Sequence, residues 1–325
     1  ASADGKIVPD ENYGREVMQL FSIGLVERNQ DFSPVLDGSG QTVPTYDSAV
    51  VAAMSRVFTG WTYAGQTDAN YGRVDGRSYA PMECHPAYHD DQPKAIFRGI
   101  VIANGNDCAA TMERALDALS QHPNTAPFIS RQLIQRLVTG NPSDAYVGRI
   151  AAKFANNGSG VRGDLKAVVR AILLDSEARG PAKADLAFGS LREPVLMITG
   201  LVRALNGVTD GAALGDRTST LGQRPYYAPT VFNYFQPDET IPGTSILAPE
   251  FGIHDSNSAV TRTNLVYSLV YSGIAPDQTL PGATGTRLNT YQFDQYATDA
   301  GVLTDKVSEM LIGGALPSAA RTAVI

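Results

Sequence analysis

Apolar residues recur along this chain at helical spacing rather than at the alternation of a strand. The clearest run is Leu165, Val168, Val169, Ile172 and Leu173, at i, i+3, i+4, i+7 and i+8 behind Asp164, whose carboxylate is placed to cap the first turn. That spacing predicts a helix with one buried face. Comparable patterns cover residues 11–23, 47–58, 107–120, 125–139, 143–156, 193–206, 256–272 and 302–312, several of them closed by Gly24, Gly60, Gly140, Gly207 or Gly273. The expected fold is mainly α, a multi-helix globular array with long ordered loops.

Two irregular stretches interrupt the helices. Residues 62–104 are rich in Gly, Asp, Tyr and Pro and contain one good strand candidate, AIFRGIVIA, so a small β-hairpin is expected near 93–103. Residues 222–254 carry Tyr226, Tyr227, Phe232, Tyr234 and Phe235 among five prolines. Loops of this length in a compact protein are either functional or packed on the core. No internal repeat or low-complexity tract is present.

Composition narrows the function classes. With 325 residues, 43% of them hydrophobic, the chain can bury one large core or two smaller ones, and disorder is excluded. Its 26 basic and 33 acidic residues give a net charge of −7 without long like-charge runs, which argues against nucleic acid or an anionic membrane as a partner. No window has the roughly eighteen consecutive apolar residues of a membrane span. The opening ASADGKIVPDENY has no initiator Met, basic region or apolar leader, so a signal peptide is expected upstream. At the other end Leu316-Pro317-Ser318 reads as a helix start and the chain stops at Ile325, so both termini read as cut edges. The two cysteines, Cys84 and Cys108, lie in loop-like sequence and suggest one disulfide, with two unpaired thiols as the alternative. A bridge would place the protein in the periplasm or outside the cell.

Six blocks in order, PDENYGREVMQLFSIGL, MSRVFTGWTY, HPNTAPFISRQLIQRLV, GVRGDLKAVVRAILLDSEAR, LREPVLMITGLVRALN and LGQRPYYAPTVFNYFQP, resemble the bacterial family catalogued as domain of unknown function 1800. The resemblance runs from about residue 6 to the end. It implies that residues 1–325 are an internal fragment of a single helical domain of that type. It further implies export, and a sulfatase-like partner catalogued as domain of unknown function 1501, whose genes often neighbour those of the family. No catalytic residue is established for the family, so none is carried over. Gly14 stands where Ala is commoner, and a glycine inside a helix costs about 1 kcal/mol unless close packing offsets it.

The strongest polar constellation lies in the first helix. Glu11 and Arg15 are four apart, as are Asn12 and Glu16, while Tyr13, Val17, Leu20 and Phe21 form an apolar stripe. Glu11, Arg15 and Glu16 are therefore the catalytic candidates, for acid/base work or for holding an anionic group. The plainer alternative is a helix-anchoring ion-pair network. In Cys84-His85-Pro86-Ala87-Tyr88-His89-Asp90-Asp91, the residues His85, His89 and Asp90 are candidate ligands for Zn or a similar divalent ion. H-x3-H would put both rings on one helix face, yet Pro81 and Pro86 oppose a helix there, and a solvated loop is the alternative.

His122 and His254 flank helices and read as caps or packing groups, His122 as a cation near a helix C-terminus. Tyr226, Tyr227, Phe232, Tyr234 and Phe235 form either a carbohydrate or peptide platform or a strap across the core, and Trp61 after Gly60 reads as an indole folded back on its helix. Asn104, Asn106 and Asp107 hint at a calcium loop but lack its closing Glu, and Asp107 serves better as an N-cap. There is no G-x-S-x-G, Walker A, H-E-x-x-H or paired C-x-x-C motif.

These readings lead to an exported, non-catalytic binding or assembly component of the cell surface, working with a sulfatase-like partner or by self-assembly and needing no cofactor. The alternatives are a metal- or carboxylate-dependent hydrolase and a structural subunit of a surface layer or filament.

Overall fold

The computed structural model describes residues 9–72, 77–103, 105, 107–185 and 187–325. Among them are twelve α-helices and three two-stranded antiparallel ribbons, so the protein is mainly α. The chain divides into two compact units, residues 1–189 and 190–325.

The first unit opens with α1 (Glu11–Gln19), capped by Asp10, whose carboxylate accepts from the Asn12 amide at 2.8 Å. It ends a turn short of the expected residue 23. Against it lies α2 (Ser48–Val57), and a Cβ placed on Gly14 would come 2.9 Å from the Ser55 backbone nitrogen. The glycine is there because two backbones meet. The buried face of α1 is consequently Gly14 and Met18, whereas Tyr13 and Phe21, expected in the buried stripe, are mostly exposed. Tyr13 instead packs edge-on against Phe58, with centroids 4.8 Å apart. Gly14→Ala should therefore lower stability by about 1–2 kcal/mol through overpacking. Helix propensity alone predicts a gain of about 1 kcal/mol. A raised urea midpoint would refute the close-packing account.

Short strands β1 (Trp61–Thr62) and β2 (Glu83–Cys84) pair, and the expected hairpin forms from β3 (Lys94–Ala95) and β4 (Val101–Ile102), with Lys94 opposite Ile102. Its turn uses Arg98 at φ 57°. Ile96, Phe97 and Ile102 of this hairpin join Met18, Met54, Val57, Ala115 and Leu119 in one core, Ala115 and Leu119 coming from α3 (Cys108–Gln121). A second core gathers Ile134, Tyr146, Ile150, Val168 and Ile172 from α4 (Thr125–Leu137), α5 (Asp144–Ala155) and α6 (Leu165–Leu174), and Ala178 from α7 (Ser176–Arg179). Asp164 caps α6 as its position predicts, accepting from Ala167 at 3.0 Å. The stripe of α6 is narrower than its spacing suggests, since Val168 and Ile172 are buried while Leu165 and Leu173 stay about half exposed. Fully buried Asn124 ties α4 to the preceding chain, donating to the carbonyls of Ile23 (2.9 Å) and Val26 (2.8 Å) and accepting from Arg28 N (2.9 Å).

The second unit centres on α8 (Pro194–Ala204), α9 (Leu214–Ser219) and α10 (Ser256–Tyr271), with Ile198, Leu221, Leu265, Leu269 and Ile274 in its core. Strands β5 (Val208–Thr209) and β6 (Thr286–Arg287) pair beside them, and α11 (Ala300–Ile312) and α12 (Ser318–Val324) follow. Asp255 caps α10 in a reciprocal box with Ser258, accepting from its amide at 2.7 Å while the Ser258 hydroxyl accepts from Asp255 N at 2.8 Å.

Candidate functional site

The first-helix candidates separate. Glu11 and Arg15 form an i,i+4 pair at 3.3 Å with both side chains about 40% exposed, so the pair contributes little to stability. Asn12 does not pair with Glu16 as its spacing suggests; its side-chain oxygen accepts from Arg15 at 3.5 Å. Glu16 turns inward, where its Oε2 and the Tyr46 hydroxyl are both buried without a hydrogen-bond partner. Burial first, and then the negative charge of Glu16, push the Tyr46 hydroxyl up to about 12. The phenol therefore keeps its proton at neutral pH.

The loop of residues 84–91 is built around the disulfide. Cys84 and Cys108 are bonded, their Cα atoms 5.9 Å apart, joining β2 to the first residue of α3. Gly60 turns beneath them at φ 84°, and a Cβ there would lie 3.0 Å from both the Cys108 sulfur and His89 Cβ. No α-helix forms over 84–91; Pro86 opens a single 3-10 turn, Pro86–Tyr88, and the two rings diverge. His85 Nδ1 meets Asp68 Oδ1 at 2.7 Å. His89 is buried with Nδ1 on the Thr59 carbonyl (2.9 Å) and Nε2 on the Thr111 hydroxyl (3.2 Å), and burial lowers its pKa. Asp90 holds the Gln92 amide at 3.1 Å and pairs with Arg56 at 3.4 Å and with wholly buried Lys94 at 3.5 Å. Each candidate ligand thus has a protein partner, and among the described residues no group of three His, Cys, Asp or Glu could hold a metal ion. Nor does any hydrogen bond or ion pair among the described residues link Glu11, Arg15 or Glu16 to His85, His89 or Asp90. Of the calcium-loop triad, Asp107 caps α3 (3.0 Å to Ala110 N), while Asn104 and Asn106 lie outside the described residues.

His122 is not a surface cation at a helix end. It is buried, accepts from Asn124 N at 3.1 Å through Nδ1, and stacks edge-on against Phe97. Burial, with the charges of Arg98 and Arg162 adding to it, lowers its pKa from 6.5 to about 4. Glu27 lies 3.8 Å from Nε2 but is itself paired with Arg98 at 3.2 Å. Because the folded pKa lies below the unfolded one, this contribution to stability is complete above about pH 6.5 and is lost as the pH falls toward about 4. His122→Gln should remove on the order of 1–2 kcal/mol of the stability difference between those two pH values. An unchanged pH slope in urea titrations would refute it. His254 has the same kind of local role, with Nδ1 3.2 Å from the Ser258 hydroxyl at the start of α10.

The aromatic segment divides into anchor and display. Phe235 is buried, and its Cβ lies 2.8 Å from the Cβ that Gly252 lacks. The Tyr234 hydroxyl donates to the Arg224 carbonyl and accepts from Tyr227 N at 3.2 Å, closing the loop on itself. The Arg224 guanidinium lies 3.9 Å above the Tyr227 ring. Tyr226 is fully exposed on a backbone at φ 64°, and Asn233 also sits at positive φ, 68°. Tyr227, Val231 and Phe232 are exposed as well. The segment is a strap at Phe235 and a raised aromatic surface at Tyr226, Tyr227 and Phe232.

Sequence reading passed over Arg262. It is buried in α10, donates to the Arg192 carbonyl at 2.7 Å, and has Nε and Nη2 buried without partners. Its position among small hydroxyl residues gives no periodic signal of burial.

Among the described residues no helix is long and apolar enough to cross a membrane. No curated protein and no solved structure is significantly similar to the chain. The family described as protein of unknown function (DUF1800) matches residues 2–325, essentially end to end, and the chain belongs to that family.

Proposed function

We propose that the protein is an exported, non-catalytic binding component of the bacterial cell surface that engages a partner protein through the aromatic loop of residues 224–236. The observation that carries this reading is the conformation of Tyr226: a bulky ring held fully in solvent at φ 64°, beside Tyr227 under Arg224 and half-exposed Phe232. Tyrosine and arginine are the residues on which protein interfaces concentrate their binding energy. A loop tied by the Tyr234 hydroxyl and anchored at Phe235 loses little entropy on binding. Export is supported by the Cys84–Cys108 bond, which persists in oxidising compartments. A sulfatase-like protein is the partner that the family's gene neighbourhoods suggest.

The test is biolayer interferometry of the full-length protein against the sulfatase-like protein of the same genome, with mass photometry of the protein alone. Binding is expected to weaken about 100-fold in Tyr226→Ala/Phe232→Ala, the loss of roughly 2.7 kcal/mol that two interface aromatics supply. If the wild type self-associates instead, the double variant should be monomeric, and the loop is then an assembly contact of a surface layer or filament. A monomeric wild type that binds no such partner, or binding indifferent to the double substitution, overturns the proposal. The rival reading, a carboxylate-dependent hydrolase, is favoured by one observation, the unpartnered Glu16 and Tyr46 oxygens. It requires Glu16→Gln to abolish an activity that the aromatic substitutions spare.

A further inference from the structure

A groove of about 230 Å³ runs in the second unit between α9 and the stretch of α10 from Thr261 onward with the residues that follow it. Its chemistry is unusual for a chain of net charge −7, because among the described residues no carboxylate lines it. Its lining includes the hydroxyl residues Thr220, Thr261, Ser268 and Ser272, the amide residue Asn264, the cationic Arg217 and the apolar Leu265 and Ile274.

The hydroxyls share a direction of hydrogen bonding. Thr220 donates to the Arg217 carbonyl at 2.8 Å, Thr261 to Asn257 at 2.9 Å, Ser268 to Asn264 at 2.9 Å and Ser272 to Ser268 at 3.2 Å. A hydroxyl has one proton, so each of these four is left with only lone pairs to offer a ligand. The ligand must therefore bring several donors of its own. Arg217 imposes the opposite demand, since among the described residues its guanidinium has no ion-pair, hydrogen-bond or ring partner, and it can only donate. A small molecule with several hydroxyls and one anionic group satisfies both. Inorganic sulfate has no protons for the four oxygens and inorganic phosphate has at most two at neutral pH, and a nucleotide base would find no aromatic ring among the lining residues. The volume lies below the roughly 300 Å³ at which drug-sized pockets begin, which suits one sugar ring.

We propose that this groove binds the acidic sugar unit of a glycan, its hydroxyls donating to Thr220, Thr261, Ser268 and Ser272 and its carboxylate or sulfate ester received by Arg217. The site is separate from the aromatic loop and does not depend on it. Saturation-transfer NMR and calorimetric titration of the full-length protein with glucuronate, glucose 6-sulfate, glucose, acetate and inorganic sulfate test it. One or both acidic sugars are expected to bind at least tenfold more tightly than glucose or either simple anion, and which of the two binds identifies the anionic group. Arg217→Gln, at an exposed position that leaves the fold intact, should erase that tenfold advantage, and Asn264→Leu/Ser268→Ala should abolish sugar binding. Tyr226→Ala/Phe232→Ala should leave it unchanged. Equal binding of glucose and the acidic sugars, no binding by any of them, or indifference to Arg217→Gln overturns the proposal.

Discussion

Replacing Cys84 and Cys108 together with alanine is expected to lower the stability of the first unit by about 3–4 kcal/mol. The two residues are 24 apart in sequence, and the chain-entropy cost of closing a loop of that size is roughly this amount. The bond also has packing around it. Cys108 is wholly buried at the first turn of α3, Cys84 pairs with Trp61 across β1 and β2, and Gly60 packs so close to the Cys108 sulfur that a Cβ there would lie 3.0 Å from it. Trp61 is the sole tryptophan and sits beside the bridge, so its fluorescence in a urea titration reads this unit directly. The wild type under a strong reductant should behave like the double variant. A midpoint shift equivalent to less than about 1 kcal/mol in both would show that hydrogen bonds alone hold the 84–91 loop, and would weaken the argument for an oxidising compartment.

Lys94→Met is expected to cost the same unit about 3 kcal/mol, because it removes the donor from a buried polar knot while its acceptors stay in place. The Lys94 side chain is wholly buried, and its ammonium donates to the carbonyls of Asp90 at 2.5 Å and Gln92 at 3.0 Å. Among the described residues Asp90 would then be left with Arg56 as its only cationic partner. Methionine fills much of the same volume, so the loss measures hydrogen bonding and charge rather than a cavity. The same Trp61 titration reads it, and a loss below about 1 kcal/mol would mean that the loop recovers its partners by moving.

Much of the helical framework was legible in the order of residues. All nine expected helices are present, Asp164 and Asp107 cap the helices they precede, and the hairpin of β3 and β4 lies within 93–103. These features are local, a period of apolar residues and a short polar side chain ahead of it, so neighbours in sequence suffice to fix them. The elements that went unread, α7, α9 and the β1–β2 and β5–β6 pairs, are short pieces whose formation depends on contacts distant in sequence.

The candidate sites were legible as residue types and not as arrangements. Glu11, Arg15 and Glu16 share a helix, yet Gly14 lets α1 settle so close to α2 that Glu16 turns toward Tyr46 while Glu11 and Arg15 face solvent. His85 and His89 have metal-ligand spacing, but Pro86 and the disulfide send one ring to Asp68 and the other between Thr59 and Thr111. His122 sits at a helix end as its sequence position says, and burial, helped by the charges of Arg98 and Arg162, lowers its pKa to about 4.

The sequence by itself determined the mainly α fold, the helix caps and membership of the family of unknown function. It also named the cysteine pair and the aromatic segment. The tertiary structure alone decided which of Tyr226 to Phe235 are buried and which displayed, that the histidines hold the chain together, and that four hydroxyls of α9 and α10 and their surroundings open a groove beside Arg217. The physical reason is that sequence periodicity sets which side of a helix is apolar, whereas the direction in which a polar atom spends its proton depends on neighbours that only folding supplies.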